Sequence, residues 1–119
     1  MDRGQHSCEC VLALLAWKAL LPNDVFLNRG NHEARDINGR DGFERECLQK
    51  YGRDGVEVFD AFSACFACLP LVHIIEQQVF VIHGGLFQKA TTLEQIAKIN
   101  RFHEVHTHTH TQPPPPPRE

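Results

Sequence analysis

The sequence predicts an α/β fold, because two kinds of apolar pattern alternate along residues 1–100. Apolar residues recur at helical spacing in segments such as 7–21 and 56–69. Short runs rich in β-branched and aromatic residues, such as 25–27 and 78–82, are typical of strands. Polar residues follow both runs directly, and α/β sheets bind ligands at the ends of their strands. The sequence therefore predicts a functional site where these two runs end.

The first part of the chain is predicted to contain one helix, one strand and a loop. The helix covers 7–21, begins with Ser7 as its N-cap and ends at Pro22. Val25-Phe26-Leu27 is too short for a helix and is predicted to be a strand, adjacent to 79–82 in one sheet. Residues 34–42 show no periodicity and are predicted to form a loop.

The second part is predicted to contain two helices, a pair of strands and a last helix. The two helices cover 43–51 and 56–69, with a glycine-containing turn between them. The runs 71–75 and 78–82 are predicted to form a hairpin or two adjacent strands. A capping-box pattern at the start of 91–100 predicts a helix over that stretch.

The sequence changes character after residue 100. Residues 106–111 are a His-Thr repeat, and residues 113–117 are five consecutive prolines. Few apolar residues are present to offset the entropy of ordering this segment. We therefore predict a domain over 1–100 and a low-complexity, disordered tail over 101–119.

Composition excludes several classes of partner. The formal net charge of −3 gives no basic field for nucleic acid, and no apolar run is long enough to span a membrane. Five cysteines without a readable secretion signal predict reduced thiols and an intracellular location, the cytoplasm first and the nucleus as the alternative. Cys65 and Cys68 form a CxxC, which is typical of zinc or redox sites. Without a second CxxC, we favour small apolar residues on a buried helix face.

The polar side chains after the two runs have the chemistry of metal ligands. Asn31, His32 and His83 offer an amide oxygen and imidazole nitrogens. Two metal ions that share a water activate it and neutralise the phosphate in phosphate-ester hydrolysis. Gly30 and Gly84 allow the backbone to approach a ligand closely. The pattern predicts half of a two-metal phosphate-ester site.

The motif Leu27-Asn28-Arg29-Gly30-Asn31-His32-Glu33 resembles the Asn-His-Glu motif of the phosphoprotein phosphatases, which are calcineurin-like metallophosphoesterases. Similar stretches follow at Gly42-Phe43-Glu44, Leu69-Pro70-Leu71 and His83-Gly84-Gly85-Leu86-Phe87. The resemblance implies a fragment of a β-sandwich flanked by helices. It also implies a partial serine/threonine phosphatase domain that acts on phosphoprotein substrates. Within the family, the chain looks most similar to the EF-hand-containing, retinal-degeneration-C-like branch, which implies regulation by a calcium sensor or calmodulin.

The resemblance implies a catalytic role for three residues. His32 would be the general acid that protonates the leaving serine or threonine oxygen. Asp2 would hydrogen-bond His32 and orient it. Arg3 would bind the phosphate with its planar guanidinium.

The same resemblance implies metal ligands and structural residues around them. Asn31 and His83 would bind one metal ion, while Arg29 and Glu33 would hold the loop. The cofactor would be two metal ions, manganese, iron or zinc. In the family, further motifs stand before the position of Met1 and after that of Glu119, so the site is expected to be incomplete and this chain inactive alone. Asp41 stands where the family usually has tyrosine.

Two other interpretations remain open. The chain could be a non-catalytic remnant or an incomplete gene model that binds a partner at most. It could also be a calcineurin-like hydrolase of another phosphate ester, such as a nucleotide or a diadenosine polyphosphate. The helical segment 43–69 weighs against this last possibility.

Overall fold

The computed structural model describes residues 1–85 and 87–103, and these contain five α-helices, two 3₁₀ turns and one two-stranded sheet. The expected tail therefore lies largely outside the described residues. The elements in chain order are α1 (Ser7–Leu20), a 3₁₀ turn (Asn31–Glu33), α2 (Arg35–Asp41), α3 (Phe43–Tyr51), a second 3₁₀ turn (Gly52–Asp54), α4 (Gly55–Cys68), β1 (Val72–Ile75), β2 (Val79–Ile82) and α5 (Leu93–Ala97).

The core is a cluster of phenylalanine rings between α3 and α4. Phe59, Phe62 and Phe66 recur at i, i+3 and i+7 on one face of α4, and Phe43 at the start of α3 packs against all three. Ring centroids lie 5.2–6.2 Å apart, a range in which aromatic pairs attract beyond their buried area. The two helices come close because Gly55 has no side chain, since a Cβ there would lie 2.6 Å from Leu48 Cα.

The first turn of α1 is held on α3 by a buried carboxylate. The backbone N–H of Cys8 donates to Glu46 Oε1 at 2.9 Å, and Lys50 Nζ donates to the same oxygen at 2.8 Å. Lys50 also pairs with Glu9 on α1. Burial alone would raise the pKa of Glu46, but the hydrogen bonds from Cys8, Lys50 and Ser7 lower it to about 2. Glu46 is therefore ionised in the folded chain over the physiological range.

The predicted strand at 25–27 is wrong, because the described sheet consists of β1 and β2 alone. This segment is tied to the hairpin by isolated hydrogen bonds instead of a ladder. Asn28 Nδ2 donates to the Val81 carbonyl at 3.1 Å, and the Arg29 backbone N–H donates to the Pro70 carbonyl at 2.8 Å. These two bonds still bring the chain after residue 27 alongside β2.

The predicted loop over 34–42 is also wrong, because α2 forms there. Its sequence has no apolar periodicity, and the helix is supported from outside itself. Asn38 is fully buried, and the Arg35 guanidinium lies over the Phe59 ring at 4.8 Å from its centroid. Packing on the core thus decides the conformation where intrinsic preference does not.

The hairpin prediction is confirmed, with β1 and β2 antiparallel and Val72 opposite Ile82. Glu76 and Gln77 form its turn with φ of 48° and 58°, the left-handed pair that tight hairpins require. The predicted capping box is present at Thr92, although α5 ends at Ala97, before residue 100.

Two smaller expectations are wrong. Ser7 is the first residue of α1, with His6 at the N-cap, and its Oγ accepts from the Asp2 backbone N–H at 3.3 Å. Cys65 and Cys68 are exposed, because the phenylalanines occupy the buried face of α4.

Most of α1 after its first turn is an apolar surface. Leu12 is 48% exposed, Trp17 60% and Leu20 75%. At 14 residues α1 is too short to cross a bilayer, and no other helix in the described part of the chain meets that requirement. An apolar face of this extent favours association.

We expect the isolated chain to self-associate through α1. Trp17 is the only tryptophan of the sequence, so its fluorescence reports this directly. The emission maximum should shift to shorter wavelength as protein concentration rises, and Leu20→Lys should weaken the shift. An emission maximum independent of concentration, together with a sharp and reversible two-state melt, would contradict this expectation.

We expect Glu46→Gln to lower the free energy of unfolding at pH 7 by about 3 kcal/mol. The folded-state pKa of about 2 lies below the ordinary value of 4.5, so the stabilisation is complete above pH 4.5. It is lost as pH falls from 4.5 towards 2. Urea unfolding at high dilution measures this, with exposed Glu57→Gln as the control. If the free energy of unfolding falls equally between pH 4.5 and pH 2 in the Glu46→Gln variant and in the parent, Glu46 is not the group responsible for this loss of stability.

Candidate metal and phosphate site

The side chains of Asn31 and His83 meet at the end of β2. Asn31 begins the first 3₁₀ turn, His83 follows β2 directly, and both are exposed. His83 Nε2 and Asn31 Oδ1 lie 3.1 Å apart. Two ligands of one metal ion at bonds of about 2.0–2.2 Å are separated by roughly 3.0–3.5 Å. The two atoms therefore fit adjacent positions on a single ion.

Gly30 allows the contact between Asn31 and His83, because the side chains of His83 and Glu33 occupy the space that a Cβ of residue 30 would need. A Cβ at Gly30 would lie 2.9 Å from His83 Cε1 and 2.6 Å from Glu33 Oε2. Its φ of −96° is open to any residue, so the requirement for glycine here is steric. The motif needs glycine because His83 and Glu33 pack against the turn.

His32 and Asp2 form a second pair on the same turn. His32 Nδ1 and Asp2 Oδ2 lie 2.7 Å apart, with the Asp2 side chain 1% exposed and that of His32 29% exposed. Asp2 has a φ of 61°, in the left-handed region that aspartate tolerates better than most residues. Its Oδ1 is buried without a hydrogen-bond partner among the described residues. The carboxylate thus fixes one edge of the imidazole and leaves Nε2 available.

Arg29 and Glu33 bond to the backbone around the turn. Arg29 donates from Nε and Nη2 to the Glu33 carbonyl at 3.1 and 3.0 Å, and from Nη1 to the Arg101 carbonyl at 2.6 Å. Glu33 Oε2 accepts from the Gly30 backbone N–H at 2.7 Å. These contacts hold the turn in shape.

Among the described residues, the rest of the predicted site consists of an exposed arginine and an incomplete set of metal ligands. Arg3 is exposed, on the bend that precedes α1. Across residues 1–85 and 87–103, no three His, Cys, Asp or Glu side chains lie together as a metal-binding group. The described donors, Asn31 and His83, suit a metal ion in kind and spacing but do not complete its coordination.

Sequence reasoning missed two contacts near the site. Asp41 Oδ2 lies 3.9 Å from His32 Nδ1, whereas the sequence marks Asp41 only as a departure from the family pattern. Asn28 hydrogen-bonds His73, whose ring stands edge-on to Phe26 at 5.4 Å. The alternation of His73 with apolar neighbours in a strand was the only signal for this second contact.

A family model described as calcineurin-like phosphoesterase matches residues 1–115 of the chain. The chain belongs to this family. The sequence-based assignment to calcineurin-like metallophosphoesterases is thereby confirmed, and membership of this family implies divalent metal ions.

Curated relatives of this phosphoesterase are named serine/threonine-protein phosphatase T. The protein from Trypanosoma brucei brucei (strain 927/4 GUTat10.1) is 43% identical over 106 residues, 88% of this chain and 22% of its own length. Those from Aspergillus oryzae (strain ATCC 42149 / RIB 40) and Schizosaccharomyces pombe (strain 972 / ATCC 24843) are each 46% identical, over 87% and 86% of this chain. The chain spans about a fifth of the length of these relatives.

A solved structure has the same fold. It is a protein serine/threonine phosphatase from Saccharomyces cerevisiae with similarity to human phosphatase PP5. It is 42% identical, with a TM-score of 0.80 over 87% of this chain and 32% of that one. The α/β fold class is confirmed by this match. The proposed link to the EF-hand branch stays a prediction.

We expect Gly30→Ala to displace His83 or Glu33, because the added methyl overlaps both. The NMR chemical shifts of these two residues should change and the unfolding midpoint should fall. Gly84→Ala is the matched control, since no atom lies within 4 Å of a Cβ at that position. If both variants perturb His83 equally, the steric argument fails.

Proposed function

We propose that this chain is part of the catalytic domain of a metal-dependent serine/threonine protein phosphatase, which hydrolyses phosphoserine and phosphothreonine esters. One observation carries the proposal. Asn31 and His32 are consecutive on one 3₁₀ turn, yet the first meets His83 and the second meets Asp2. A metal ligand and a proton donor are thus presented side by side.

Asn31 and His83 would hold one metal ion, and manganese, iron or zinc suits an amide oxygen with an imidazole nitrogen. When bound, such ions lower the pKa of a coordinated water and neutralise phosphate charge. Gly30 supports the pair by leaving room for His83.

His32 would donate a proton to the leaving serine or threonine oxygen. Its Nδ1–H donates to Asp2 Oδ2 at 2.7 Å, so Asp2 fixes the ring and the Nε2 edge faces away from that carboxylate. The Asp2 side chain is 1% exposed, so neighbouring atoms enclose the carboxylate that orients the imidazole.

Arg3 and the loop residues would complete the part of the site that this chain carries. Arg3 is adjacent to Asp2 and exposed, so its guanidinium is free to bind two phosphate oxygens in a bidentate manner. Arg29 and Glu33 would maintain the turn through the backbone bonds described above.

Among residues 1–85 and 87–103 the site has two donors, which do not saturate a metal ion, and for this reason we propose that the chain alone has no turnover. A non-catalytic chain that retains only the fold is the alternative that this sparse donor set favours. For the full-length protein we propose intracellular phosphoprotein substrates and regulation by a calcium sensor or calmodulin, on the resemblance of the Asn-His-Glu motif.

We expect His32→Asn, in a complete phosphatase domain that carries this segment, to lower turnover by about 10²–10⁴-fold. Metal content should not change, because Asn31 and His83 remain. Asn31→Ala and His83→Ala should lower both turnover and metal content. Hydrolysis of a phosphoserine peptide and elemental analysis measure the two effects.

His6→Asn is the control histidine, because the His6 side chain is 82% exposed. The unmodified chain should show no turnover with manganese, iron or zinc added. Turnover by this chain that disappears in His32→Asn would disprove the incomplete-site proposal, and loss of metal in His32→Asn would disprove the assigned roles.

A further inference from the structure

Cys8 and Cys47 bring their sulfur atoms into contact inside the core. The two Sγ atoms lie 3.8 Å apart, both residues are fully buried, and both are free thiols. Cys8 lies in the first turn of α1 and Cys47 lies in α3, so the contact joins two helices through residues that are 39 positions apart in sequence. The metal and phosphate site uses neither thiol.

The two sulfur atoms are at contact distance, with no other side chain needed to bring them together. A sulfur–sulfur bond measures about 2.05 Å, so the two atoms must approach by less than about 2 Å. Rotation of the two side chains about their Cα–Cβ bonds is the motion available for this approach. The remaining cysteines, Cys10, Cys65 and Cys68, are exposed.

We propose that Cys8 and Cys47 are a covalent modification site, at which a small disulfide such as glutathione disulfide produces an intrachain disulfide between α1 and α3. In the first step one cysteine thiolate attacks glutathione disulfide, whose S–S bond breaks, and a mixed disulfide and one glutathione thiolate form. The second cysteine thiolate then attacks the protein sulfur and releases the second glutathione. Two cysteines are oxidised, one glutathione disulfide is reduced, and the two cysteine protons pass to the two glutathione thiolates.

Access to the first step depends on the docking of α1. Burial raises the pKa of both thiols, so the closed state holds little thiolate and admits no glutathione. Glu46 and Lys50 hold the first turn of α1 in place, whereas much of the rest of α1 is exposed. The turn must lift from α3 to react, and its return brings the sulfurs together for the second, intramolecular step.

The disulfide would fix one edge of the candidate site. Ser7, next to Cys8, accepts a hydrogen bond from the Asp2 backbone, and Asp2 holds His32. A covalent link at Cys8 therefore restrains the position of Asp2 relative to the turn that carries His32. The cross-link itself stands on the sulfur contact and is independent of any phosphatase activity.

The test oxidises the whole chain with glutathione disulfide and analyses it without reduction by mass spectrometry. A background variant with Cys10, Cys65 and Cys68 changed to serine keeps only the buried pair. We expect a chain lighter by two hydrogen atoms, a tryptic species that joins peptides 4–18 and 46–50, and reversal by dithiothreitol. Hydrogen exchange of the α1 amides should be slower in the oxidised chain than in the reduced chain.

The control compares the disulfides that form in the chain with all five cysteines under native conditions and in urea. It tests whether the fold selects the pair Cys8 and Cys47. The link between Cys8 and Cys47 should dominate when the chain is folded and should be one of many in urea. Equal distributions of links in the two conditions would overturn the proposal. Accumulation of the glutathione adduct on Cys8 or Cys47 without the linked peptides would overturn it as well.

Discussion

The close approach of His83 and Glu33 to Gly30 is the contact on which the candidate site depends. With His83 this close to the turn, Asn31 contacts His83, while the next residue, His32, contacts Asp2. A Cβ at Gly30 would overlap the side chains of His83 and Glu33 and displace one of them. The arrangement of the site therefore depends on the missing side chain of Gly30, which leaves room for His83 and Glu33. The hydrogen bonds of Arg29 and Glu33 hold the backbone of the turn in this conformation.

The aromatic core and the site are connected through α1. Phe43 and the phenylalanines of α4 fix α3, and α3 presents Glu46 to the first turn of α1. That turn carries Ser7, which hydrogen-bonds the backbone of Asp2. The buried carboxylate of Glu46 thus helps to position the carboxylate of Asp2, which hydrogen-bonds His32. Hydrogen bonds from Cys8 and Lys50 offset the cost of burying the charge of Glu46.

Much of the architecture could be predicted because its signals are local. The helix at 43–51, the hairpin and the capping box at Thr92 follow from spacing and turn chemistry. The helix α2 could not be predicted, since its sequence has no apolar periodicity and its support comes from tertiary contacts such as that of Arg35 with the Phe59 ring. The absence of a strand at 25–27 could not be predicted either, because strand formation depends on a partner that only the tertiary structure supplies.

The site shows the same division. Proximity of Asn31 to His83 was predictable from polar residues at the ends of two runs, although one of those runs is not a strand. The pairing of Asp2 with His32 came from the family resemblance, since 30 residues separate them and no periodicity links them. The contacts of Asp41 and His73 could not be predicted from the sequence. A single charged or aromatic residue in a helix or strand does not indicate which residue it contacts in the tertiary structure.

The hydrogen bond between Asn31 and His83 has a consequence for how the site fills. An amide oxygen can only accept, so a hydrogen bond in this contact requires the His83 tautomer with hydrogen on Nε2. That proton lies between the two atoms that suit a metal ion. A metal ion on Nε2 would need the other tautomer, with the hydrogen on Nδ1, so binding would shift that hydrogen within the ring and would replace the bond between His83 and Asn31.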